Sequence, residues 1–352
     1  MLSIVQCMSE HTHPVIRTQR LTKHFTRHKS TVEAVRGLDL RVEPGELVAF
    51  LGPNGAGKST TLRMLTTLIA PTSGTAEVAG YDVVTHQRDV RRNIGYVGQG
   101  NGAGHQQRAR DELVSQGRAH GMDRKQARHR AAELLEAFDL VEQADRTVST
   151  LSGGQRRRLD IAIGLVHTPG LLFLDEPSTG LDPQNRANLQ EQVKRLHEEF
   201  ETTIVLTTHY LEEADAIADR VVVIDHGLVI ADDTAAGLKS GLGDLDVLGF
   251  SSVEDAAISA RRAVAGLDAR AQVEREGTVV RIRSRWGAES APALVHELAG
   301  LGTPVRRIEV VGPTLDDVFL DLTGRSLRES NEAGAESTDL TDLTDLTEGA
   351  AA

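Results

Sequence analysis

Gly52-Pro53-Asn54-Gly55-Ala56-Gly57-Lys58-Ser59-Thr60 decides the reading of this chain. The stretch has the form G-x-x-x-x-G-K-S. An apolar run, Glu46-Leu47-Val48-Ala49-Phe50-Leu51, stands directly before it, and Thr61-Leu62-Arg63-Met64-Leu65, at helical spacing, directly after. Strand, glycine-rich loop and helix in that order make a phosphate cradle. The glycines let successive backbone N–H groups turn inward, the lysine places a compact cation on the β- and γ-phosphates, and the serine hydroxyl ligates Mg²⁺. The chain uses six lysines against thirty-three arginines, so a lysine at position 58 points to a need for the ammonium rather than for charge alone. A plain glycine-rich turn does not account for the full eight-position match in this context.

Downstream, Leu151-Ser152-Gly153-Gly154-Gln155 precedes a basic helix start, Arg156-Arg157-Arg158-Leu159-Asp160. Small residues with free N–H groups at a helix head form a second phosphate-binding site, and one triphosphate has no use for two unless the chain meets another copy. The three arginines read as a solvated helix face rather than a nucleic-acid site. Leu171-Leu172-Phe173-Leu174-Asp175-Glu176 reads as a buried parallel strand ending in two carboxylates. Asp175 can hold the magnesium shell and Glu176 can polarise an attacking water. The two acids could instead cap a following helix, but the C-terminal end of a buried strand is where parallel α/β sheets place chemistry. Ser178-Thr179-Gly180-Leu181-Asp182 forms a turn, and Thr203-Ile204-Val205-Leu206-Thr207-Thr208 a further buried strand closed by His209. That histidine is either structural or a charge switch.

The order of cradle, L-S-G-G-Q, acidic strand, S-T-G-L-D and strand-end histidine resembles the ATP-binding subunits of ABC transporters, over roughly residues 17–240. The resemblance implies an α/β P-loop ATPase domain with a helical subdomain, binding ATP and Mg²⁺. It implies that Phe25 stacks on adenine, although an aromatic there could also be core. Gln99, in Gly95-Tyr96-Val97-Gly98-Gln99, would touch Mg²⁺ and water and sense a membrane partner; alone it would read as a solvated loop residue. Glu176 would be the general base and His209 would contact the γ-phosphate. Asp182 would act across a dimer, and Ser152, Gly153, Gly154 and Gln155 would complete the other subunit's ATP site. Ser59, Gln99 and Asp175 would be the metal ligands. One departure follows Gln99: Gly100-Asn101-Gly102-Ala103-Gly104-His105-Gln106-Gln107-Arg108 has few apolar anchors, so the residues that touch a membrane partner are not legible.

The implied partners are a second copy of the chain and a separately encoded transmembrane permease, with the chain held at the cytoplasmic face of the cell membrane. Composition agrees. A net charge of −12 argues against a broad nucleic-acid footprint. Cys7 is the sole cysteine, which excludes an intrachain disulfide. No apolar run approaches the roughly twenty residues that span a bilayer. A soluble ABC ATPase of DNA repair would need long coiled coils or zinc-binding cysteines, and a translation factor of this superfamily would carry two cassettes.

Residues 1–14 lack a long apolar core and read as a disordered leader, with Met8 a second possible start. Residues 15–240 read as the ATP-binding domain, with a helical subdomain over about 105–165 that includes Asp123–Leu140. Residues 244–325 read as a small α+β domain of order β-α-β-β-α-β, the split βαβ of ferredoxin-like folds. Its last segment, Gly312-Pro313-Thr314-Leu315-Asp316-Asp317-Val318-Phe319-Leu320-Asp321-Leu322-Thr323-Gly324-Arg325, like Gly180-Leu181-Asp182-Pro183-Gln184-Asn185-Arg186, resembles the daunorubicin-resistance type of exporter ATPase, which implies a hydrophobic drug-like or lipid-like cargo. The acidic tail, 326–352, repeats Thr-Asp-Leu at 338–346 and reads as disordered; a docking peptide is the alternative.

Overall fold

The computed structural model describes residues 13–27, 30–100, 102–104, 106–242, 244–250, 256–265, 271–276, 279–284, 287–303 and 305–327. The expected leader, up to residue 12, and the expected tail, from residue 328, lie outside the described residues. The chain divides into two compact units at Thr234 and Ala235, with Ser326 ending the second.

The first unit opens with β1 (Ile16–Arg27), β2 (Ser30–Val42), β3 (Leu47–Leu51) and α1 (Lys58–Leu65). Then come β4 (Ser73–Val78), β5 (Tyr81–Asp82), α2 (Gln87–Asn93) and β6 (Ile94–Val97). The helices α3 (Ala109–Ala119), α4 (Arg124–Ala137) and α5 (Gly153–Gly164) precede β7 (Leu171–Asp175). The unit closes with α6 (Pro183–Phe200), β8 (Thr203–Thr208), α7 (Leu211–Ile217), β9 (Arg220–Asp225) and β10 (Leu228–Asp233).

A six-stranded sheet runs β10-β9-β3-β8-β7-β6, and every neighbour pair is parallel except the β9–β10 hairpin. That hairpin turns on His226 and Gly227, both at positive φ, the backbone a two-residue turn requires. β3, β7 and β8 are buried at every position, which is why they read as unbroken apolar runs rather than alternating ones. A second sheet, β2-β1-β4-β5, is antiparallel. Phe50, Phe173, Val205 and Val222 of the parallel sheet share one core with Leu62, Met64 and Leu65 of α1 and with Ile16, Leu38 and Leu40 of the second sheet.

Registry fixes where chemistry can sit. Val97 pairs with Leu174, Asp175 with Thr207, and Leu51 with Thr208. The parallel neighbours β6, β7, β8 and β3 therefore finish side by side at one edge, the edge at which open parallel sheets bind ligands.

α4 begins with a capping box between Asp123 and Gln126, and it buries Ala127, Ala131, Leu134 and Leu135, a spacing that lies on one helical face. It packs on α3. In the second unit, α8 (Ala235–Ser240) precedes β11 (Asp244–Phe250), α9 (Ala256–Ala265), β12 (Gln272–Glu276) and β13 (Val279–Ser284). α10 (Gly287–Gly300), β14 (Val305–Val311) and α11 (Leu315–Thr323) complete it. Its sheet is antiparallel in the order β12-β13-β11-β14, over a core of Ala260, Val264, Val280, Ile282, Leu294 and Leu298.

Candidate nucleotide site

The cradle joins β3 to α1. Gly57 is the N-cap of α1 at φ 105°, with no side-chain cap and no acidic residue in the first turn. The first N–H groups of α1 thus have no carboxylate of their own turn competing for them, and they carry the positive end of the helix dipole. A Cβ on Gly57 would stand 2.4 Å from the Ala34 carbonyl oxygen, so β2 closes the loop from outside and only glycine fits. Lys58 is 4% exposed; its Nζ donates to the carbonyls of Gly52 (2.7 Å) and Pro53 (3.0 Å) and lies 3.9 Å from Glu176 Oε1. Burial lowers the Lys58 pKa below the usual lysine range, with Glu176 and then Asp175 opposing that shift.

A chain of hydrogen bonds ties the loop to the strand ends. Ser59 Oγ donates to Asp175 Oδ1 at 2.7 Å, and Thr207 Oγ1 donates to the same oxygen at 2.8 Å. The Glu176 N–H donates in turn to Thr207 Oγ1 at 2.9 Å. Glu176 sits at φ 46°, a left-handed backbone that costs a non-glycine residue on the order of 1 kcal/mol or more and that persists only where the surroundings over-determine it. Here they do. Its Oε2 accepts from Gln99 Nε2 at 2.9 Å and from Thr179 Oγ1 at 3.0 Å, while His209 Nδ1 stands 3.5 Å away. Burial pushes the Glu176 pKa up, but His209, Lys58 and Thr179 outweigh it and hold the carboxyl below the usual glutamate range. An ionised carboxylate among donors orients a water better than it removes a proton in the ground state.

The remaining predicted residues lie at separate places in the first unit. Ser152 caps α5 through a capping box with Gln155; Ser152 and Gly153 are exposed, whereas Gly154 is buried. A Cβ on Gly154 would reach 2.4 Å from Asn185 Oδ1, so the helix head packs against α6 at glycine distance. Asp182 caps α6 by accepting the Asn185 N–H at 2.9 Å, with Pro183 in the first turn. Phe25 is 40% exposed with Lys23 Nζ 5.1 Å from its ring centroid, so it is not core. It pairs with Val32 on β2, two residues from the Ala34 that closes the cradle.

The geometry has close company among known proteins. The family model described as "ABC transporter" matches residues 35–179. The daunorubicin/doxorubicin resistance ATP-binding protein DrrA of Streptomyces peucetius is 44% identical over 91% of this chain and 96% of its own length. The chain belongs to the ABC transporter ATP-binding family. The linearmycin resistance ATP-binding protein LnrL of Bacillus subtilis is 35% identical, over 84% of this chain and 95% of its own. Among solved structures, a dimeric ATP-binding cassette in a post-hydrolysis state with ADP and Pi superposes with a TM-score of 0.58 at 26% identity, covering 62% of this chain and 98% of that one. The chain is thus an ATP-hydrolysing transporter subunit. Among the described residues no helix is long and apolar enough to cross a membrane.

Some contributors to this ATPase site escaped the sequence reading. Thr207 and Thr179 brace Asp175 and Glu176; Thr207 is one of two threonines that end the Ile-Val-Leu strand β8, and Thr179 lies in the turn after β7. Glu213 of α7 is buried and accepts from Ser178 Oγ at 2.9 Å and from Thr208 Oγ1, joining the turn after β7 to the end of β8. Burial raises its pKa against those two hydroxyls. The arginine triplet needs correction: it is not a solvated face. Arg157 is buried, Arg158 Nη1 donates to the Phe138 carbonyl at 3.1 Å, and Arg156 Nη2 donates to the carbonyls of Val148 and Ser149. Each guanidinium meets backbone carbonyls that converge on α5 from other segments, an arrangement a charge run does not reveal.

Proposed function

We propose that two copies of this chain close around two MgATP and that hydrolysis powers a separately encoded permease which exports a hydrophobic, drug-like or lipid-like compound. The observation that carries the reading is the exposed head of α5. Ser152 and Gly153 face solvent while cradle, carboxylates, Gln99 and His209 gather at the sheet edge, so the signature has a ligand only if a second copy brings one. Exchange of such faces under two-fold symmetry gives two identical composite sites.

The residues present suit a magnesium ion. Asp175 Oδ2 is buried with no hydrogen-bond partner, and Ser59 Oγ already lies beside the same carboxylate, an oxygen donor set that a hard divalent cation prefers. Ser59, Asp175 and Gln99 would hold Mg²⁺, which when bound would offset the negative charge of the phosphates. Lys58 and the α1 N–H groups hold the same phosphates, Glu176 orients the water in line, and His209 contacts the γ-phosphate. Asp182, at the start of α6, is assigned to communication across the dimer, with Gly153, Gly154 and Gln155 shaping the face that Ser152 presents.

The adenine lies on Phe25. Phe25→Ala should raise KM for ATP about tenfold with kcat within about twofold, since stacking on an exposed aromatic adds on the order of 1 kcal/mol or slightly more. Phe25→Tyr should match wild type in the same steady-state assay. An unchanged KM in Phe25→Ala returns the ring to a packing role.

The ATP-binding domain is assigned to residues 15–240, with its helical subdomain at 105–165, although α8, Ala235–Ser240, falls in the second compact unit. The C-terminal domain, 244–325, is assigned as ferredoxin-like; the β-α-β-β-α-β order and the strand order β12-β13-β11-β14 support that. Export rather than import, and attachment at the cytoplasmic membrane face, rest on relatives named for resistance to daunorubicin, doxorubicin and linearmycin. The test is co-expression with a permease of about six spans encoded beside this chain. The two should co-purify, and cells carrying both should accumulate several-fold less doxorubicin than cells carrying the Glu176→Gln chain. Failure to co-purify with unchanged accumulation would favour a soluble ATPase without a membrane partner.

A further inference from the structure

Arg157 and Asp160 lie three residues apart on α5, hence on one helical face. Both are buried. The Arg157 guanidinium reaches separate stretches of backbone: Nη1 donates to Gly98 O at 2.7 Å, Nη2 to Asp175 O at 3.1 Å and Nε to Pro177 O at 2.8 Å. One turn on, Asp160 Oδ1 accepts the N–H groups of Gly102 and Ala103, both at 3.0 Å. These contacts bracket Gln99, one fixing the residue before it and the others the residues shortly after. Gln99 in turn donates to Glu176 Oε2. Among the described residues of the glycine-rich stretch 98–104, Ala103 is the one buried apolar side chain, so little else fixes the path of the loop.

We propose that Arg157 and Asp160 are positioning residues that fasten the Gln99 loop to the signature helix and so keep Gln99 on the catalytic carboxylate. The inference rests on the assignment of Gln99 to the hydrolytic site. The three carbonyls are reached from three separate nitrogens of one planar fork, a span that the single nitrogen of a lysine does not cover, so lysine cannot replace Arg157. Asparagine can replace Asp160, because it keeps the Oδ1 acceptor and puts an amide where Oδ2 now lies buried without a partner.

The test compares Asp160→Ala, Asp160→Asn, Gln99→Ala and the double variant Asp160→Ala/Gln99→Ala in the full-length chain, with thermal melting to confirm folding. In Asp160→Ala, kcat should fall about tenfold with KM for MgATP within about twofold, and in Asp160→Asn it should return to within about twofold of wild type. The buried Ala103 amide should exchange its hydrogen at least about tenfold faster in Asp160→Ala and at the wild-type rate in Asp160→Asn. On a Gln99→Ala background, Asp160→Ala should cost less than about twofold, because a positioning residue has nothing left to position. Arg157→Lys, which retains the charge, should reproduce the Asp160→Ala kinetics and keeps the test open if Asp160→Ala does not fold. A folded Asp160→Ala with wild-type kcat, or with an undiminished effect on the Gln99→Ala background, overturns the tether while leaving Gln99 in place. Wild-type turnover in Gln99→Ala itself removes Gln99 from the site and the tether with it.

Discussion

Glu176→Gln should lower the turnover of ATP by about 10²- to 10³-fold while leaving ATP affinity within about threefold, the range expected when a positioned carboxylate is lost and its shape is kept. The amide oxygen can still accept from Gln99 Nε2 and Thr179 Oγ1, so the side chain stays seated. What disappears is the negative charge beside Lys58 and His209, and with it the acceptor proposed to hold a water in line with the γ-phosphate. With hydrolysis blocked and binding intact, the closed dimer should accumulate. Phosphate release measures the first effect and light scattering with ATP the second. Turnover near wild type would remove Glu176 from its role.

The second large effect concerns mixed dimers. Lys58→Ala removes the buried ammonium from its own cradle. Ser152→Arg places a bulky cation on the face its subunit presents to the other's nucleotide, at a cost to α5 of about 1 kcal/mol of lost capping. Each homodimer carries a lesion in both sites. A mixed dimer carries both lesions in one site and none in the other, so mixing the two variants should restore hydrolysis to a level at least about tenfold above either alone. ATP-dependent dimerisation, followed by light scattering, separates loss of assembly from loss of chemistry. No rescue, together with a wild type that hydrolyses at full rate as a strict monomer, would end the shared-site reading.

The phosphate cradle was legible because each of its requirements is local. Gly57 must take φ 105°, Lys58 must follow it, and the loop must join a buried strand to a helix, all within one short stretch. Asp175 and Glu176 were legible for a related reason, since a run of buried apolar residues ending in two acids has few other uses. The direct hydrogen bonds that hold those acids in place were not, although the resemblance had put Ser59, Gln99 and Asp175 around one metal ion. Thr207 and Asp175 are 32 positions apart, Gln99 and Glu176 are 77 apart, and Ser59 and Asp175 are 116 apart. A threonine at the end of an apolar strand carries no mark of which carboxylate it will brace. The arginine triplet misled for the same reason, since its charges suggested water while its partners were carbonyls on distant segments.

By itself the sequence determined that this chain cradles a nucleotide phosphate, that it carries a signature helix and an acidic strand end, and that a second, smaller α+β unit follows. Those are matters of residue type at short spacing, where backbone freedom, helix capping and burial act within a turn or a strand. Only the tertiary structure decided that β6, β7, β8 and β3 finish side by side, so that Gln99, Glu176, His209 and Lys58 share one edge. It also decided that Arg157 is buried among carbonyls while Ser152 faces solvent on the same helix. The physical reason is that strand order and the direction in which a helix face points are set by parallel pairing and by packing against one shared core, and neither leaves a local trace in the residues that end up in contact.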